Sequence, residues 1–231
     1  MASNNYKNLD CSYSIRLIDK LKSLDTKNVL DFELINKAIY WAKKYHGEQK
    51  RKSGEPYYSH PLEVAYMISE YKLKNDVVVA SILHDIIEDT PVTAGMILDN
   101  FGWRIAEMVD MLTRDRPDGS KLSIEEIITQ AYEKRDKEVL LIKLIDRLHN
   151  IQTIGSIRSE KQKEIAKETL NDIIITTTVC QNLNLEVELS AKSFTLLYGQ
   201  EVANKIINKR YNIFSVFNNY QPPLPVFENK I

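Results

Sequence analysis

The segment that decides the fold class is 77-VVVASILHDIIEDT-90, a nearly continuous apolar run that ends in ionisable residues. Composition alone does not distinguish a buried strand from a buried helix in such a run. The placement of His84, Asp85, Glu88 and Asp89 favours a helix, because residues three and four apart share a helical face. We therefore predict a helix over 77–87, with Glu88 one turn beyond His84 and Asp85.

The rest of the chain shows the same helical periodicity. Apolar residues recur at three- and four-residue spacing over 32–42, after the candidate helix cap Asp31, and again over 160–183 and 186–208. Gly and Pro number only seven each, and no alternating strand series or repeat is present in the sequence. We predict an all-α, single-domain bundle, divided into an N-terminal helical extension over 1–29, the main domain over 30–210 and an irregular tail over 211–231.

Composition and charge narrow the function classes. The chain has 231 residues, with 31 basic and 32 acidic side chains, and this balance argues against a general nucleic-acid binder. No apolar stretch approaches the roughly 20 residues of a membrane span, and the N-terminus lacks the apolar core of a secretory signal. Two cysteines suit a reducing compartment. We expect a soluble cytoplasmic protein without nucleic-acid or membrane partners.

Four residues form a candidate metal-ligand set. His60 precedes Pro61 at a predicted helix entry, and Asp146 lies on an amphipathic helix, four residues before Asn150. With His84 and Asp85, they offer two imidazoles and two carboxylates, which suits a divalent ion that keeps open positions for water. Mn²⁺, Fe²⁺ and Zn²⁺ are all chemically reasonable. Mn²⁺ is our first choice, because phosphate chemistry with retained waters favours an octahedral ion.

Each of these residues, taken alone, also fits an ordinary structural role. The acidic residues after His84 could end a helix in solvent, and Asp146 could pair with Arg147 on a helix surface. A single histidine at a helix entry, such as His60, is more often a cap or a surface residue than a ligand. Local pattern therefore leaves both interpretations open.

A basic loop, 47-GEQKRKSGEP-56, is the remaining candidate binding feature. It sets three consecutive basic residues between glycines, which permit close approach of the backbone to a ligand. The planar guanidinium of Arg51 can stack on a base or bind phosphate. The alternative is a solvated basic loop with no ligand.

Read in order, these segments resemble the hydrolase domain of the RelA/SpoT-type alarmone enzymes, within the HD phosphohydrolase superfamily. The similarity covers roughly residues 30–175, and several ordered motifs are more specific than any single one. It runs through 46-HGEQKRKSGEPY-57, 60-HPLEVA-65, 83-LHDIIEDT-90, Phe101-Gly102, Leu112-Thr113, 142-IKLIDRLHN-150 and 161-KQKEIAKETL-170.

The resemblance implies a metal-dependent hydrolase. Its implied substrate is (p)ppGpp, from which it releases the 3′-pyrophosphate and leaves GDP or GTP. By this resemblance, a Mn²⁺ ion is held by His60, His84, Asp85 and Asp146, and the attacking water is activated or oriented by Glu88 and Asp89. The guanine base is contacted by Arg51, Lys52 and Ser53. Further nucleotide contacts come from Asn150 and Thr153.

Two segments depart from the family pattern, namely the loop 113–119 and the helical stretch 171–180. The chain ends at Ile231, which leaves no room for a synthetase domain, so we predict hydrolysis without synthesis. Two alternatives remain. One is a hydrolase of another phosphorylated nucleotide, and the other is a non-catalytic nucleotide-binding regulatory module. Retention of the four candidate ligands together with Glu88 and Asp89 argues against the second alternative.

Overall fold

A computed structural model describes residues 11–116, 119–180 and 183–208. Within these ranges the fold is all-α, as predicted, with two isolated β-bridges and no sheet. None of the described helices is both long enough and apolar enough to cross a membrane. The helices are α1 (Ser12–Leu24), α2 (Phe32–His46), α3 (Ser59–Ile68), α4 (Asn75–Ile82), α5 (Ile86–Asp89), α6 (Ala94–Phe101), α7 (Trp103–Leu112), α8 (Ile124–Glu133), α9 (Lys137–Gln152), a 3₁₀ turn (Ile154–Ser156), α10 (Ser159–Cys180), α11 (Leu183–Tyr198) and a helical segment over 200–208.

The predicted cap of α2 is confirmed. The side chain of Asp31 accepts hydrogen bonds from the backbone N–H groups of Glu33 and Leu34, both at 3.0 Å. These donors have no partner within the helix, so a carboxylate at this position satisfies them and complements the helix dipole. The cap starts the helix that ends at His46, just before the basic loop.

The predicted helix over 77–87 is wrong in one respect that shapes the site. Helix α4 ends at Ile82, a turn occupies 83–85, and the single-turn helix α5 begins at Ile86. The ring of His84 donates from Nδ1 to the carbonyl of Ser81 at 2.8 Å, so a side chain takes a carbonyl at the helix end. Because the turn interrupts the helical register, His84 and Asp85 do not share one continuous helical face with Glu88.

The core lies where α3, α4, α7 and α9 pack together, with α1 and α2 alongside. Val78, Ile82 and Ile145 are fully buried in it, and so are Leu17 and Leu21 of α1. Helix α1 is therefore packed into the same hydrophobic cluster as the helices that follow it. The division of the chain at residue 30 stays a prediction, and the predicted tail 211–231 lies outside the described residues.

Candidate metal centre

Three elements bring the predicted ligands together. His60 lies in the first turn of α3, His84 in the turn after α4, and Asp146 in α9. Their ligand atoms all lie within 4.8 Å of one another. Oδ1 of Asp146 is 3.1 Å from Nε2 of His60 and 3.7 Å from Nε2 of His84. Two imidazoles and a carboxylate therefore converge on one point beneath the surface.

The second nitrogen of each ring has its own partner. Nδ1 of His84 is bonded to the Ser81 carbonyl, and Nδ1 of His60 lies 2.8 Å from Nδ1 of His149. With the Nδ1 atoms engaged, the Nε2 atoms of both rings are turned toward the carboxylate of Asp146. Metal-binding histidines are typically oriented in this way, by a hydrogen bond from the nitrogen that does not ligate.

Asp85 lies beside this cluster, with Oδ2 at 4.0 Å from Nε2 of His84. Both of its oxygens are buried, and within the described residues neither has a hydrogen-bond partner. Nε2 of His46 lies 3.4 Å from Oδ1. Burial would raise the pKa of Asp85, but the neighbouring His84 and His46 rings lower it to about 2. A buried carboxylate without hydrogen bonds is costly unless a cation compensates it, so these residues fit a divalent metal ion.

The electrostatics of the cluster favour positive charge at His84, whereas burial lowers the pKa of His60. Burial lowers the pKa of His84, yet the carboxylates of Asp85 and Asp146 raise it to about 9. The pKa of Asp146 lies well below its usual value despite burial, because Lys143 and the histidine rings surround it. Nζ of Lys143 is 3.1 Å from Oδ2 of Asp146. The same buried carboxylates that stabilise a proton on the His84 ring would also stabilise a metal cation.

The cluster opens into a cavity of about 340 Å³ that the other predicted site residues line. Its wall is rich in cations, contributed by Arg51, Lys52, Arg114, Lys143 and Arg147. Leu112, Ile124 and Ile157 supply apolar surface. The remaining predicted residues in the wall are Ser53, His60, His84, Asp85, Glu88, Asp89, Asp146, Asn150 and Thr153.

Glu88 and Asp89 both reach the cavity, each held by a different partner. The carboxylate of Glu88 accepts the backbone N–H of Arg114, in the loop after α7. Oδ2 of Asp89 accepts from the hydroxyl of Tyr57 at 2.7 Å. Burial and the charge of Asp85 raise the pKa of Asp89, against the effect of the Tyr57 hydrogen bond. A carboxyl group with a raised pKa is suited to exchanging protons.

Arg51 is about 100 positions from the end of α9 in sequence but contacts it in space. Its Nη2 donates to Oγ1 of Thr153 at 2.9 Å, and its Nη1 lies 3.4 Å from Nδ1 of His149. The basic loop is thereby attached to the C-terminal end of α9. Asn150, predicted to contact a nucleotide, donates instead to Oδ1 of Asp146 at 2.7 Å.

Among the residues that sequence reasoning missed are the cavity cations Arg114, Lys143 and Arg147, and three ring side chains near the ligands. His46 stacks on Tyr57, with ring centroids 4.8 Å apart, and faces Asp85. Burial, with the nearby His60 ring and Arg51 guanidinium, lowers the pKa of His149 to about 3. His46, Tyr57 and His149 all lie within the motifs quoted for the resemblance, and this position could have indicated that they are near the ligands. Their contact partners could not be predicted, because each partner lies on another element.

Fold and site together define a helical domain with a candidate divalent-metal centre at the base of a cationic cavity. A family model described as "HD domain" matches residues 38–171, so the chain belongs to the HD domain family. The matched range runs from α2 into α10 and contains the four candidate ligands.

Curated proteins extend this result. The chain is 36% identical over 203 residues to the guanosine-3′,5′-bis(diphosphate) 3′-pyrophosphohydrolase of Aquifex aeolicus, covering 83% of this chain and 28% of that protein. It is also 36% identical over 174 residues to the bifunctional (p)ppGpp synthase/hydrolase SpoT of Escherichia coli, covering 71% of this chain and 24% of that protein. The chain thus spans about a quarter of the length of these relatives. The resemblance to the RelA/SpoT-type enzymes is confirmed.

A solved structure gives the same fold. It is described as "A metazoan ortholog of SpoT hydrolyzes ppGpp and plays a role in starvation responses", and it matches with a TM-score of 0.60 over 72% of this chain and 96% of that chain. At 22% sequence identity, this similarity supports the helical fold alone. Since one relative is named as both synthase and hydrolase, the absence of synthetase activity in this chain stays a prediction.

Proposed function

We propose that this protein hydrolyses (p)ppGpp, releasing pyrophosphate from the 3′ position and leaving GDP or GTP. The observation that carries the proposal is the buried His60, His84 and Asp146 cluster at the base of a cation-lined cavity. A metal cluster alone suits many hydrolytic reactions. The cationic wall favours a strongly anionic substrate, and the activities for which the relatives are named suggest its identity.

In this proposal His60, His84, Asp85 and Asp146 hold the metal ion, and Mn²⁺ is the ion we expect. A bound divalent cation would lower the pKa of nearby water and offset negative charge on phosphate oxygens. Support for Asp85 as a ligand comes from its two buried oxygens, which lack hydrogen-bond partners among the described residues. Support for the histidines comes from their bonded Nδ1 atoms, which leave Nε2 to the ion.

Asp89 is our candidate for the group that takes up the proton of the attacking water. Tyr57 donates to its Oδ2, so the carboxylate is held in one orientation. Glu88 is held in the cavity wall by the N–H of Arg114 and would orient the water. Proton transfer by a positioned side chain typically accelerates a reaction by about 10²- to 10⁴-fold.

The basic loop and the other cations of the wall would bind two different parts of the substrate, the guanine base and the departing pyrophosphate. Arg51, Lys52 and Ser53 are the candidates for the guanine base, with Thr153 supporting Arg51. Asn150 keeps its proposed nucleotide contact only if it releases Oδ1 of Asp146. The other cations of the wall, Arg114, Lys143 and Arg147, lie where they could offset charge that develops on the departing pyrophosphate.

The test is a product analysis of the purified protein. It is incubated with Mn²⁺ and a panel of ppGpp, pppGpp, a 3′-phosphorylated adenosine nucleotide and a 2′-phosphorylated dinucleotide. We expect pyrophosphate and GDP from ppGpp, and loss of both products with a chelator or in His84→Ala. Preferential cleavage of another member of the panel would favour the first alternative. Binding of ppGpp without any turnover would favour a regulatory module.

The predicted lack of synthetase activity needs its own assay. Incubation with GTP and ATP should yield no (p)ppGpp, and any formation of it would contradict the prediction. A cytoplasmic location and the absence of nucleic-acid and membrane partners also stay predictions.

A further inference from the structure

The ring of His149 lies between two groups to which the proposed function gives different tasks. Its Nδ1 is 2.8 Å from Nδ1 of His60, a candidate metal ligand. The same atom is 3.4 Å from Nη1 of Arg51, a candidate base-binding residue that lies 98 positions earlier in the chain. One nitrogen atom therefore faces both halves of the candidate active site.

Both neighbours approach this nitrogen as donors. A guanidinium has only N–H groups to offer, so Arg51 donates. In the proposed metal centre Nε2 of His60, on the side of Asp146, would give its lone pair to the ion, so we assign the proton of this neutral ring to Nδ1. Nδ1 of His149 must then be the acceptor, and we assign the proton of His149 to Nε2.

We propose that His149 is a positioning residue, whose single acceptor nitrogen orients the metal ligand His60 and anchors the base-binding Arg51. This inference rests on the proposed function, because it takes from there the tasks of His60 and Arg51. The residue is only 7% exposed, so water has little access to replace its ring nitrogen as acceptor. It also packs against the ring of His60, with centroids 4.9 Å apart.

The end of α9 gives Arg51 a second anchor next to the first. Oγ1 of Thr153 accepts from Nη2 of Arg51 at 2.9 Å and itself donates to the carbonyl of His149 at 2.9 Å. One helical turn thus presents two acceptors to the fork of the guanidinium. Because the same turn contacts His60, a shift of His149 would disturb the metal centre and the basic loop together.

Two substitutions separate the acceptor from the rest of the ring. In His149→Asn the side-chain oxygen can occupy nearly the place of Nδ1, which keeps an acceptor, whereas His149→Leu removes it at similar size. Metal-free protein is titrated with Mn²⁺ alone, and the free ion is followed by its electron paramagnetic resonance signal. We expect affinity to fall by about tenfold to a hundredfold in His149→Leu, the usual effect of losing such a partner, and to be largely restored in His149→Asn.

Several outcomes of this titration would overturn the inference. One is wild-type affinity in His149→Leu, and another is an equal loss in both variants, because the acceptor would then not be what matters. Thermal unfolding is measured for each variant. If His149→Leu does not fold, His149→Gln replaces it, because a glutamine oxygen reaches the position of Nε2 rather than Nδ1. The same weakening of Mn²⁺ binding is then expected.

Binding of GDP, the expected product, tests the anchor on Arg51. It is measured by calorimetry with a chelator present, so the metal plays no part. We expect weaker binding in His149→Leu and recovery in His149→Asn, and equal affinity in all three proteins would overturn this half of the inference.

The two arms distinguish failure of the inference from failure of the proposed function. Wild-type protein that binds Mn²⁺ but not GDP would contradict the proposed nucleotide and the Arg51 half of the inference. The Mn²⁺ titration still decides the His60 half in that case. Wild-type protein that does not bind Mn²⁺ would overturn both the proposed metal centre and the positioning of His60.

Discussion

Replacing Tyr57 by phenylalanine tests the proposed proton acceptor with a very small change. The substitution removes the hydroxyl that donates to Oδ2 of Asp89 at 2.7 Å. It keeps the aromatic ring, which stacks on His46 with centroids 4.8 Å apart and an angle of 25° between the planes. The fold and the metal centre should therefore persist while turnover falls.

The expected size of the effect follows from the strength of that hydrogen bond. A hydrogen bond to a charged group contributes about 1.5–3 kcal/mol, and the half-buried position of Asp89 favours the lower end. A loss of about 1.4 kcal/mol in the transition state corresponds to a tenfold lower kcat, which is the result expected for Tyr57→Phe. Asp89→Asn removes the acceptor itself and should lower kcat by about 10²-fold or more, as should Glu88→Gln.

The pH dependence provides a second and independent readout. Burial and the charge of Asp85 raise the pKa of Asp89, whereas the hydrogen bond from Tyr57 lowers it. Without the hydroxyl this pKa rises further. As the pH falls, the carboxylate of Asp89 is then protonated, and can no longer accept a proton, at a higher pH than in the wild-type protein. The acidic limb of the kcat profile should therefore move to higher pH in Tyr57→Phe.

The assay measures pyrophosphate release from ppGpp at saturating Mn²⁺ across the pH range, together with the metal content of each variant. Tyr132→Phe is the matched control, because Tyr132 is 56% exposed on α8. If Tyr57→Phe has the same kcat and the same acidic limb as Tyr132→Phe, then the proposal that Tyr57 positions Asp89 as the proton acceptor is wrong. If the variant loses metal, the hydroxyl acts on the metal centre and the assignment is equally wrong.

Three further predictions follow from the structure. His84→Ala should lose bound metal by elemental analysis, and equal high occupancy in both proteins would contradict the ligand assignment. Arg51→Ala should raise KM for ppGpp more than it lowers kcat, if its contact is equal in ground and transition states, and an unchanged KM would refute its binding role. Leu21→Ala should lower the free energy of unfolding by about 2–5 kcal/mol in a denaturant titration, because Leu21 is fully buried, whereas Ile15→Ala, at a 51% exposed position of the same helix, should change it far less. Similar losses in both would mean that α1 is not packed into the core.

Arg51 is also connected to the candidate metal centre through one intervening side chain. In the fold Arg51 contacts His149, and His149 contacts the candidate ligand His60. Arg51→Ala still leaves His149 free to accept from His60, so the KM effect remains the main expectation. The Mn²⁺ affinity of Arg51→Ala should be measured together with KM, because Arg51 and His60 share the acceptor nitrogen of His149.

Local pattern was sufficient to predict the helical fold class, whereas the resemblance to a known family was needed to favour the ligand interpretation of His60, His84, Asp85 and Asp146. Helical periodicity is a property of neighbouring residues, so apolar spacing and the Asp31 cap could be read directly from the chain. The candidate ligands were identified through the resemblance, because several ordered motifs, among them those containing His60, His84 and Asp146, are more specific than any single one. The roles of these residues stay predictions, although the structure brings the side chains together.

Only the tertiary structure decided where helix α4 stops and which side chains surround the ligands. The mostly apolar run continues through Leu83, so composition does not mark the end of α4, where the ring of His84 bonds the Ser81 carbonyl. The partners of His149 and Tyr57 lie on other elements, at separations of up to 98 positions. Such contacts are set by how helices pack, a collective outcome of burying the whole core, and no periodicity within a single segment records them.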